Sequence, residues 1–154
     1  MQAKDIMTEN PCCCSPNDTV QDVARTMRDH DCGAIPVMDK GRLVGIVTDR
    51  DLTVRVLAAG LDHESTVADV ISRELSTCSP DADLSEVERV MSDQQVRRIP
   101  IVDADKRCVG IVSQADLARA SFDGRRVSEH EMALVVERVS LSNQRPINRD
   151  VRIS

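Results

Sequence analysis

The sequence predicts an α+β fold made of two β-α-β-β-α repeats followed by one further helix. The first observation is that one stretch recurs about 64 residues later, so that Ile35-Pro36 matches Ile99-Pro100. The second is that short apolar runs alternate with segments of helical periodicity in both copies. Because one copy of about 55 residues would be marginally stable alone, the two copies are expected to form one module.

Each repeat is expected to contain three short strands in a small mixed sheet. The candidate segments are mostly apolar or hydroxyl-bearing and are bounded by Pro, Gly and Asp, as buried strands often are. The predicted strands are residues 10–15, 35–39 and 43–47 in the first copy, and 74–79, 99–103 and 108–112 in the second.

Each repeat is also expected to contain two helices that pack on its strands. In the first copy a helix starts at a capping-box-like pair, Thr19 with Asp22, and in the second copy the pair is Asp83 with Glu86. Apolar residues at helical spacing follow each pair: Val20, Val23, Ala24 and Met27, then Leu84, Val87 and Met91. The second helices are predicted from near Asp49 to before Gly60, and from near Gln114 to about Ser121.

The repeat divides the chain into four parts. They are the first copy (residues 1–60), a linker (61–66), the second copy (67–121) and a C-terminal helix with a flexible polar tail (122–154). The C-terminal helix is predicted over residues 128–139, because Ser128 and Glu131 form a capping box ahead of an apolar stripe. Packing of this helix as a lid or dimer contact is favoured over a free partner-binding helix.

The composition disfavours several classes of partner. The net charge is −6 and aromatic residues make up 1% of the chain, so neither a basic surface nor a stacking platform for nucleic acid is predicted. No apolar run approaches the roughly 20 residues that span a bilayer, and no apolar segment follows the first residues as in a signal peptide. We therefore expect a cytoplasmic protein that binds neither nucleic acid nor a membrane.

The six cysteines and three histidines do not predict a metal site or a catalytic centre. No cysteine lies in a C-x-x-C pair and no histidine spacing completes a zinc pattern. Neither a nucleophile–base pair nor a phosphate loop is present, so the chain is not expected to be an enzyme. Cys12, Cys13 and Cys14 are interpreted as core and edge packing, with a redox sensor beside a ligand cleft as the alternative.

A hydroxyl residue stands where a strand gives way to a helix in both copies, with a carboxylate three residues later. The pairs are Thr48 with Asp51 and Ser113 with Asp116. A helix N-terminus receives phosphate well, and an aspartate one turn in can accept two ribose hydroxyls. The same spacing is also that of an ordinary capping box. Its recurrence at the same place in both copies favours nucleotide binding.

The ordered set of motifs resembles the cystathionine β-synthase (CBS) domain family over about residues 3–121. The motifs of the first copy are Asp5-Ile6-Met7-Thr8, Ile35-Pro36-Val37-Met38-Asp39 and Gly45 through Leu52. The second copy answers with Asp69-Val70-Ile71-Ser72, Ile99-Pro100-Ile101-Val102-Asp103 and Gly110 through Leu117. The resemblance implies a tandem pair, or Bateman module, whose copies are related by a pseudo-twofold axis and form two clefts between them.

The resemblance further implies a regulatory and non-catalytic function. Clefts of this family commonly bind adenosine derivatives such as AMP, ADP, ATP or S-adenosylmethionine, which act as regulatory ligands and not as catalytic cofactors. Two modules commonly form a dimer, so a homodimer is implied, and the ligand state would pass to a partner chain that the sequence does not identify. The alternative is an adaptor that has lost ligand binding and uses the same fold for protein contacts.

Residues at matching positions define two candidate clefts. Cleft one would be lined by Lys4, Met7, Glu9, Cys32, Gly33, Ile111, Ser113, Ala115 and Asp116. Cleft two would be lined by Ala68, Ile71, Arg73, Val96, Arg97, Ile46, Thr48, Arg50 and Asp51. Cleft two thus gathers three arginines, with Arg98 adjacent. Because guanidinium groups suit phosphate oxygens, cleft two is expected to bind the more highly phosphorylated nucleotide. The alternative for these arginines is a solvated surface.

Overall fold

The fold is known from a computed structural model that describes residues 1–71 and 75–122 together with Glu137. The predicted C-terminal helix and tail (residues 122–154) lie outside the described residues, except for Phe122 and Glu137. The helices are α1 (Ala3–Ile6), α2 (Val20–His30), α3 (Asp49–Asp51), α4 (Leu84–Gln94) and α5 (Gln114–Phe122), with a π-helical segment at Leu52–Leu57 and a 3₁₀ turn at Val67–Asp69. The strands are β1 (Thr8–Glu9), β2 (Ala34–Asp39), β3 (Arg42–Thr48), β4 (Arg98–Val102) and β5 (Cys108–Ser113).

Each copy is centred on an antiparallel hairpin. In the first copy β2 pairs with β3, and Gly41 takes a positive φ of 79° in the tight turn between them. In the second copy β4 pairs with β5, and β1 adds a third antiparallel strand to the far edge of β5. The α+β class with small sheets packed by helices is confirmed.

Two apolar cores lie beneath these hairpins. The first core comprises Val23, Met27, Ile35, Val37, Val47 and Val67. The second core comprises Ala3, Cys78, Ala82, Val87, Met91, Ile99, Ile101 and Val112. Equivalent residues of the two copies occupy equivalent positions in these cores. Met27 of α2 is buried in the first core and Met91 of α4 in the second. Full burial of each such side chain contributes roughly 1.5–3 kcal/mol, before the entropy of ordering it is subtracted.

The two copies exchange their N-terminal segments. Ala3, at the start of the first copy, is fully buried in the second core, and its amide donates to the carbonyl of Ala82 at 2.8 Å. Val67, at the start of the second copy, is fully buried in the first core, and its amide donates to the carbonyl of Asp18 at 2.9 Å. Each core is therefore completed by chain from the other copy, so the two copies form one interlocked unit.

The first strand predicted for the first copy, residues 10–15, is wrong in position and extent. Extended pairing ends at Glu9, because Asn10 takes a left-handed conformation with φ of 46°. After this kink only Cys14 pairs again, through a single parallel bridge with Val37.

The corresponding strand of the second copy, predicted over residues 74–79, is also reduced to one bridge. Cys78 pairs in parallel with Ile101: its amide donates to the carbonyl of Pro100 at 3.2 Å, and its carbonyl accepts the amide of Val102 at 3.0 Å. Glu74 lies outside the described residues. The sheets are therefore antiparallel hairpins that each gain one parallel bridging residue.

The helix starts differ between the copies. Thr19 caps α2 as predicted, because its Oγ1 accepts the amide of Asp22 at 3.1 Å. Asp83 makes no side-chain cap at the start of α4. The amide of Leu84 instead donates to the carbonyl of Met1 at 3.3 Å, so the exchanged segment satisfies this helix end.

The predicted apolar stripes are largely confirmed. Val20, Val23 and Met27 are buried on α2, whereas Ala24 is exposed and was wrongly placed in the stripe. On α4 Val87 and Met91 are buried and Leu84 is half-buried, which matches the expected face.

The helix after β3 is not a continuous α-helix as predicted. Only α3 is α-helical, and the amide of Ala58 then donates to the carbonyl of Thr53 at 2.9 Å, five residues back. The segment ends before Gly60, whose φ of 69° suits a residue without Cβ.

No helix of the described residues is both long and apolar enough to cross a bilayer.

Candidate ligand-binding clefts

The junction between β3 and α3 holds a reciprocal capping box. The amide of Asp51 donates to Oγ1 of Thr48 at 3.1 Å, and the amide of Thr48 donates to Oδ2 of Asp51 at 2.9 Å. The second carboxylate oxygen, Oδ1, lies 3.7 Å from Nε of Arg55, which is an ion-pair distance and too long for a hydrogen bond. The junction therefore leaves one carboxylate oxygen of Asp51 without a short hydrogen bond from Arg55.

The junction between β5 and α5 repeats this geometry and adds two hydrogen bonds to the carboxylate. Oδ2 of Asp116 accepts the amide of Ser113 at 2.8 Å and its hydroxyl at 2.6 Å. Oδ1 accepts a hydrogen bond from Nη2 of Arg119, one helical turn on. Burial by itself would raise the pKa of Asp116, but the hydrogen bonds from Ser113 and Arg119 outweigh it and hold the pKa below its usual value.

The start of the first copy lies against the second junction. Glu9 pairs with Gly110 in the β1–β5 ladder, and a Cβ on Gly110 would overlap Sδ of Met7. Because Ile111 and Ser113 follow Gly110 on the same strand, the structure brings Met7 and Glu9 to the strand that carries the second junction. These residues were assigned together to cleft one from the sequence.

Two other residues assigned to cleft one, Lys4 and Ala115, are exposed at the surface. Nζ of Lys4 forms an exposed ion pair with Oδ1 of Asp81 at 2.7 Å, on the segment that leads into α4. The Lys4 ammonium therefore already has a carboxylate partner. Ala115 is exposed at the first turn of α5, next to Asp116.

Cys32 and Gly33 follow α2, where the chain enters β2. The carbonyl of Gly33 accepts the amide of Asp49 at 3.0 Å, and a Cβ on Gly33 would lie 2.9 Å from Oδ2 of Asp49 and 3.1 Å from Nη2 of Arg98. Arg98 is the partner of Ser113 in the β4–β5 register. The Arg98 guanidinium therefore reaches from the second copy to Gly33, whereas the sequence had placed it beside cleft two.

Cleft two receives its polar residues from the first junction. Ile46 is half-buried on β3 opposite Pro36, and Arg50 is exposed beside Thr48 and Asp51. The Arg50 side chain therefore lies on the solvent-exposed side of the first junction.

The start of the second copy approaches the first junction through Arg55. Nη1 of Arg55 donates to the carbonyl of Val70 at 3.0 Å. In the same segment Ala68 donates its amide to Pro16, and Ile71 packs against the first core. Sequence reasoning missed Arg55, although its spacing of one helical turn from Asp51 could have indicated it.

The remaining residues of cleft two lie on the second copy. Val96 packs against the second core, and the carbonyl of Arg97 accepts the amide of Gln114 at 2.9 Å. The side chain of Arg97 is exposed. Arg73 lies outside the described residues, so its assignment stays a prediction.

A cavity of about 580 Å³ opens beside the second junction. Its lining combines α1 with α5 and comprises Met1, Asp5, Ile6, Asp116, Arg119 and Ala120. A volume of this size falls in the range of small-molecule sites. The cavity therefore lies between the start of the first copy and the carboxylate of the second.

Two of the cysteines, Cys14 and Cys108, have thiols whose pKa is strongly raised. Burial raises the pKa of Cys14 to about 12 and that of Cys108 to about 11. Both thiols are thus protonated near pH 7, which disfavours a redox sensor and favours packing for these two residues. In residues 1–71 and 75–122 no group of three or more His, Cys, Asp or Glu side chains could hold a metal ion.

Comparisons with known proteins agree with this architecture. The chain is 44% identical over 115 residues to the CBS domain-containing protein YhcV of Bacillus subtilis, which covers 75% of this chain and 81% of that protein. The structure of Hypoxic Response Protein I with two coordinated zinc ions is similar at a TM-score of 0.71 and 39% identity, over 77% of this chain and 98% of that one.

Two further solved structures contain adenosine compounds. The CBS domain pair of MJ0100 in complex with 5′-methylthioadenosine and S-adenosyl-L-methionine has a TM-score of 0.74 and 28% identity, over 81% of this chain and 98% of that one. CBSX2 in complex with AMP has a TM-score of 0.68 and 25% identity, over 78% of this chain and 95% of that one. The comparisons indicate no catalytic family. The family model described as the CBS domain matches residues 3–58 and 67–123, and the chain belongs to the CBS domain family as a tandem pair.

Proposed function

We propose that this chain is a non-catalytic regulatory module that binds an adenosine derivative between its two CBS copies. The observation that carries the proposal is the pair of strand-to-helix junctions. Each presents a carboxylate held by a capping box, Asp51 in one copy and Asp116 in the other, at a helix N-terminus. Such a carboxylate can accept ribose hydroxyls, and the positive end of the helix dipole favours a phosphate nearby.

The exchanged segments support a role in signalling. A ligand that contacts one copy's junction and the other copy's start would change the relative free energy of inter-copy arrangements. In cleft two Arg55 already connects the Asp51 carboxylate with the Val70 carbonyl. We propose that a partner chain reads this arrangement, within the cytoplasmic location that the sequence predicts.

The ligands of similar structures support an adenosine compound. MJ0100 binds 5′-methylthioadenosine and S-adenosyl-L-methionine, and CBSX2 binds AMP. For this chain we propose AMP, ADP, ATP or S-adenosylmethionine, with the more highly phosphorylated nucleotide in cleft two. Arg98 near Gly33 adds a guanidinium at cleft one and makes the expected difference between the clefts smaller.

We propose that the module is a homodimer. Large apolar side chains are exposed after the first junction: Val54 by 49% and Leu57 by 77% on the π-helical segment, and Leu61 by 44% just beyond it. Contiguous exposed apolar side chains are typical of association surfaces. Sedimentation of the wild type as a dimer and of Leu57→Lys as a monomer would support this assignment.

Isothermal titration calorimetry with AMP, ADP, ATP and S-adenosylmethionine tests the ligand. Saturable binding that Asp51→Ala or Asp116→Ala weakens is the expected result and assigns the cleft. If none of the four compounds produces heat or raises the thermal midpoint, the adaptor function becomes the better description. The exposed apolar side chains after the first junction would then be the first surface to test for protein contacts.

A further inference from the structure

The two carboxylates proposed to receive ribose differ in whether both oxygens are already hydrogen-bonded. In the first junction Oδ1 of Asp51 has only a long ion pair, 3.7 Å from Arg55. In the second junction Oδ1 of Asp116 accepts a hydrogen bond from Arg119, and Oδ2 is held by Ser113. A ribose diol needs an accessible carboxylate oxygen, so the two sites start from different states.

The two arginines are also constrained differently. Arg55 is anchored by its own hydrogen bond to the carbonyl of Val70 at 3.0 Å, which keeps the guanidinium away from full contact with Asp51. The side chain of Arg119 is 74% exposed, whereas that of Asp116 is only 14% exposed. The capping box therefore holds the Asp116 carboxylate in place. The exposed Arg119 side chain has room to rotate into solvent once its hydrogen bond to Asp116 breaks.

Arg119 shares a cavity with the carboxylate to which it is hydrogen-bonded. It lines the same cavity as Asp116, Asp5 and Ile6, between α1 and α5. The position that matches Arg119 in the first copy, three residues beyond the aspartate, is Val54, which cannot donate a hydrogen bond. The first copy therefore has no donor at the position of Arg119, and the guanidinium one residue further on, Arg55, donates to the carbonyl of Val70.

We propose that Arg119 is a latch that closes Asp116 to ribose, so that cleft two fills before cleft one. Binding in cleft one requires Arg119 to release Oδ1 and to swing into solvent, whereas binding in cleft two breaks no such hydrogen bond. This inference rests on the proposed function, because it assumes that the clefts take a ribose-containing ligand. The size of the effect is that of one charge-assisted hydrogen bond at a partly exposed site, about three- to tenfold in affinity.

Reciprocal substitutions test the latch, with AMP and uncharged adenosine as probes in calorimetry. In an Asp51→Ala background, which leaves only cleft one, Arg119→Ala should raise the affinity for both probes about three- to tenfold. In an Asp116→Ala background, which leaves only cleft two, the same Arg119→Ala change should leave the affinity for both probes unchanged. A gain for AMP is diagnostic, because loss of a nearby positive charge without a latch would weaken binding of an anion.

The matched control is Arg89→Ala, which removes the same charge from an exposed ion pair with Asp93 on α4 and should leave both affinities unchanged. A ligand-independent readout is the NMR titration of the Asp116 carboxyl, whose pKa should rise in Arg119→Ala. Binding in which Arg119→Ala leaves the affinity of cleft one unchanged or lower overturns the latch alone. Absence of binding in the wild type and in Arg119→Ala overturns the proposed function and the latch with it. Binding by Arg119→Ala but not by the wild type supports both.

Discussion

The two strand-to-helix junctions share their geometry at the cap and differ one helical turn later. Both place a hydroxyl residue and an aspartate in a reciprocal capping arrangement. Beyond the cap, the first copy continues into the π-helical segment with Val54 exposed, whereas the second continues as the regular helix α5 with Arg119 on its aspartate. The repeat thus preserves the contacts that position the carboxylate and varies the contacts that control access to it.

The two cores show the same division between preserved and variable features. Ile35 and Ile99 occupy matching places and are both fully buried. The chain that closes each core differs, because the first is completed by a 3₁₀ turn and the second by α1 with Met7. Exchange between copies makes each core depend on the other, which has consequences for stability.

The largest expected effect comes from truncating the matched core isoleucines. Ile35→Ala and Ile99→Ala should each cost about 2–5 kcal/mol of unfolding free energy, because each leaves a cavity. Interlocked copies should unfold together, so urea melts of both variants should show one transition with a lowered midpoint. Gln21→Ala, at an exposed side chain of α2, should change stability by less than about 0.5 kcal/mol. A second transition in either isoleucine variant would show that the copies unfold separately.

The next effect concerns the exchanged segment of the first copy. Gly110→Ala should lower the free energy of unfolding by about 1–3 kcal/mol. The new Cβ would overlap Sδ of Met7 and displace the Met7 side chain from its contact with β5. In a Met7→Ala background the same change should cost much less. A double-mutant cycle from urea melts measures this coupling. Equal costs in the two backgrounds would show that the Met7 side chain does not set the limit.

A smaller effect should distinguish the caps. Thr48→Ala removes one acceptor and should cost about 1 kcal/mol. Ser113→Ala should cost more, because the Ser113 hydroxyl both accepts the amide of Asp116 and donates to its carboxylate. Thermal and urea midpoints measured side by side rank the two. An equal or reversed order would show that the additional hydrogen bond from the Ser113 hydroxyl to Asp116 does not contribute to stability.

The smallest effect is the acid dependence of the second junction. Because the pKa of Asp116 is lowered in the folded protein, its carboxylate contributes stability that is complete above its usual pKa of about 4 and is lost as pH falls through the lower folded value. Asp116→Asn should therefore lose less stability than the wild type when urea midpoints are followed from about pH 7 to about pH 3. Asp93→Asn, in an exposed pair on α4, serves as the control. Identical acid profiles for wild type and Asp116→Asn would rule out this contribution.

Much of the fold could be predicted because local rules agree with the final packing. The hairpin strands and the buried faces of α2 and α4 follow from apolar periodicity, which burial enforces. The first strand of each copy failed because isolated parallel bridges leave little periodic signal in six residues. The α4 cap failed because the amide of Glu86 donates to the backbone carbonyl of Asp83 at 2.9 Å and not to its carboxylate.

The sequence by itself determined the repeat, the α+β class, the family and the two carboxylate junctions, since these depend on residues close together in the chain. Only the tertiary structure decided that each copy's first segment completes the other copy's core. It also decided that Arg98 reaches Gly33 and that Arg119, not Arg55, hydrogen-bonds the carboxylate beside it. The physical reason is that a guanidinium has several donors on a long flexible side chain, so its partner depends on which acceptors the fold brings within reach.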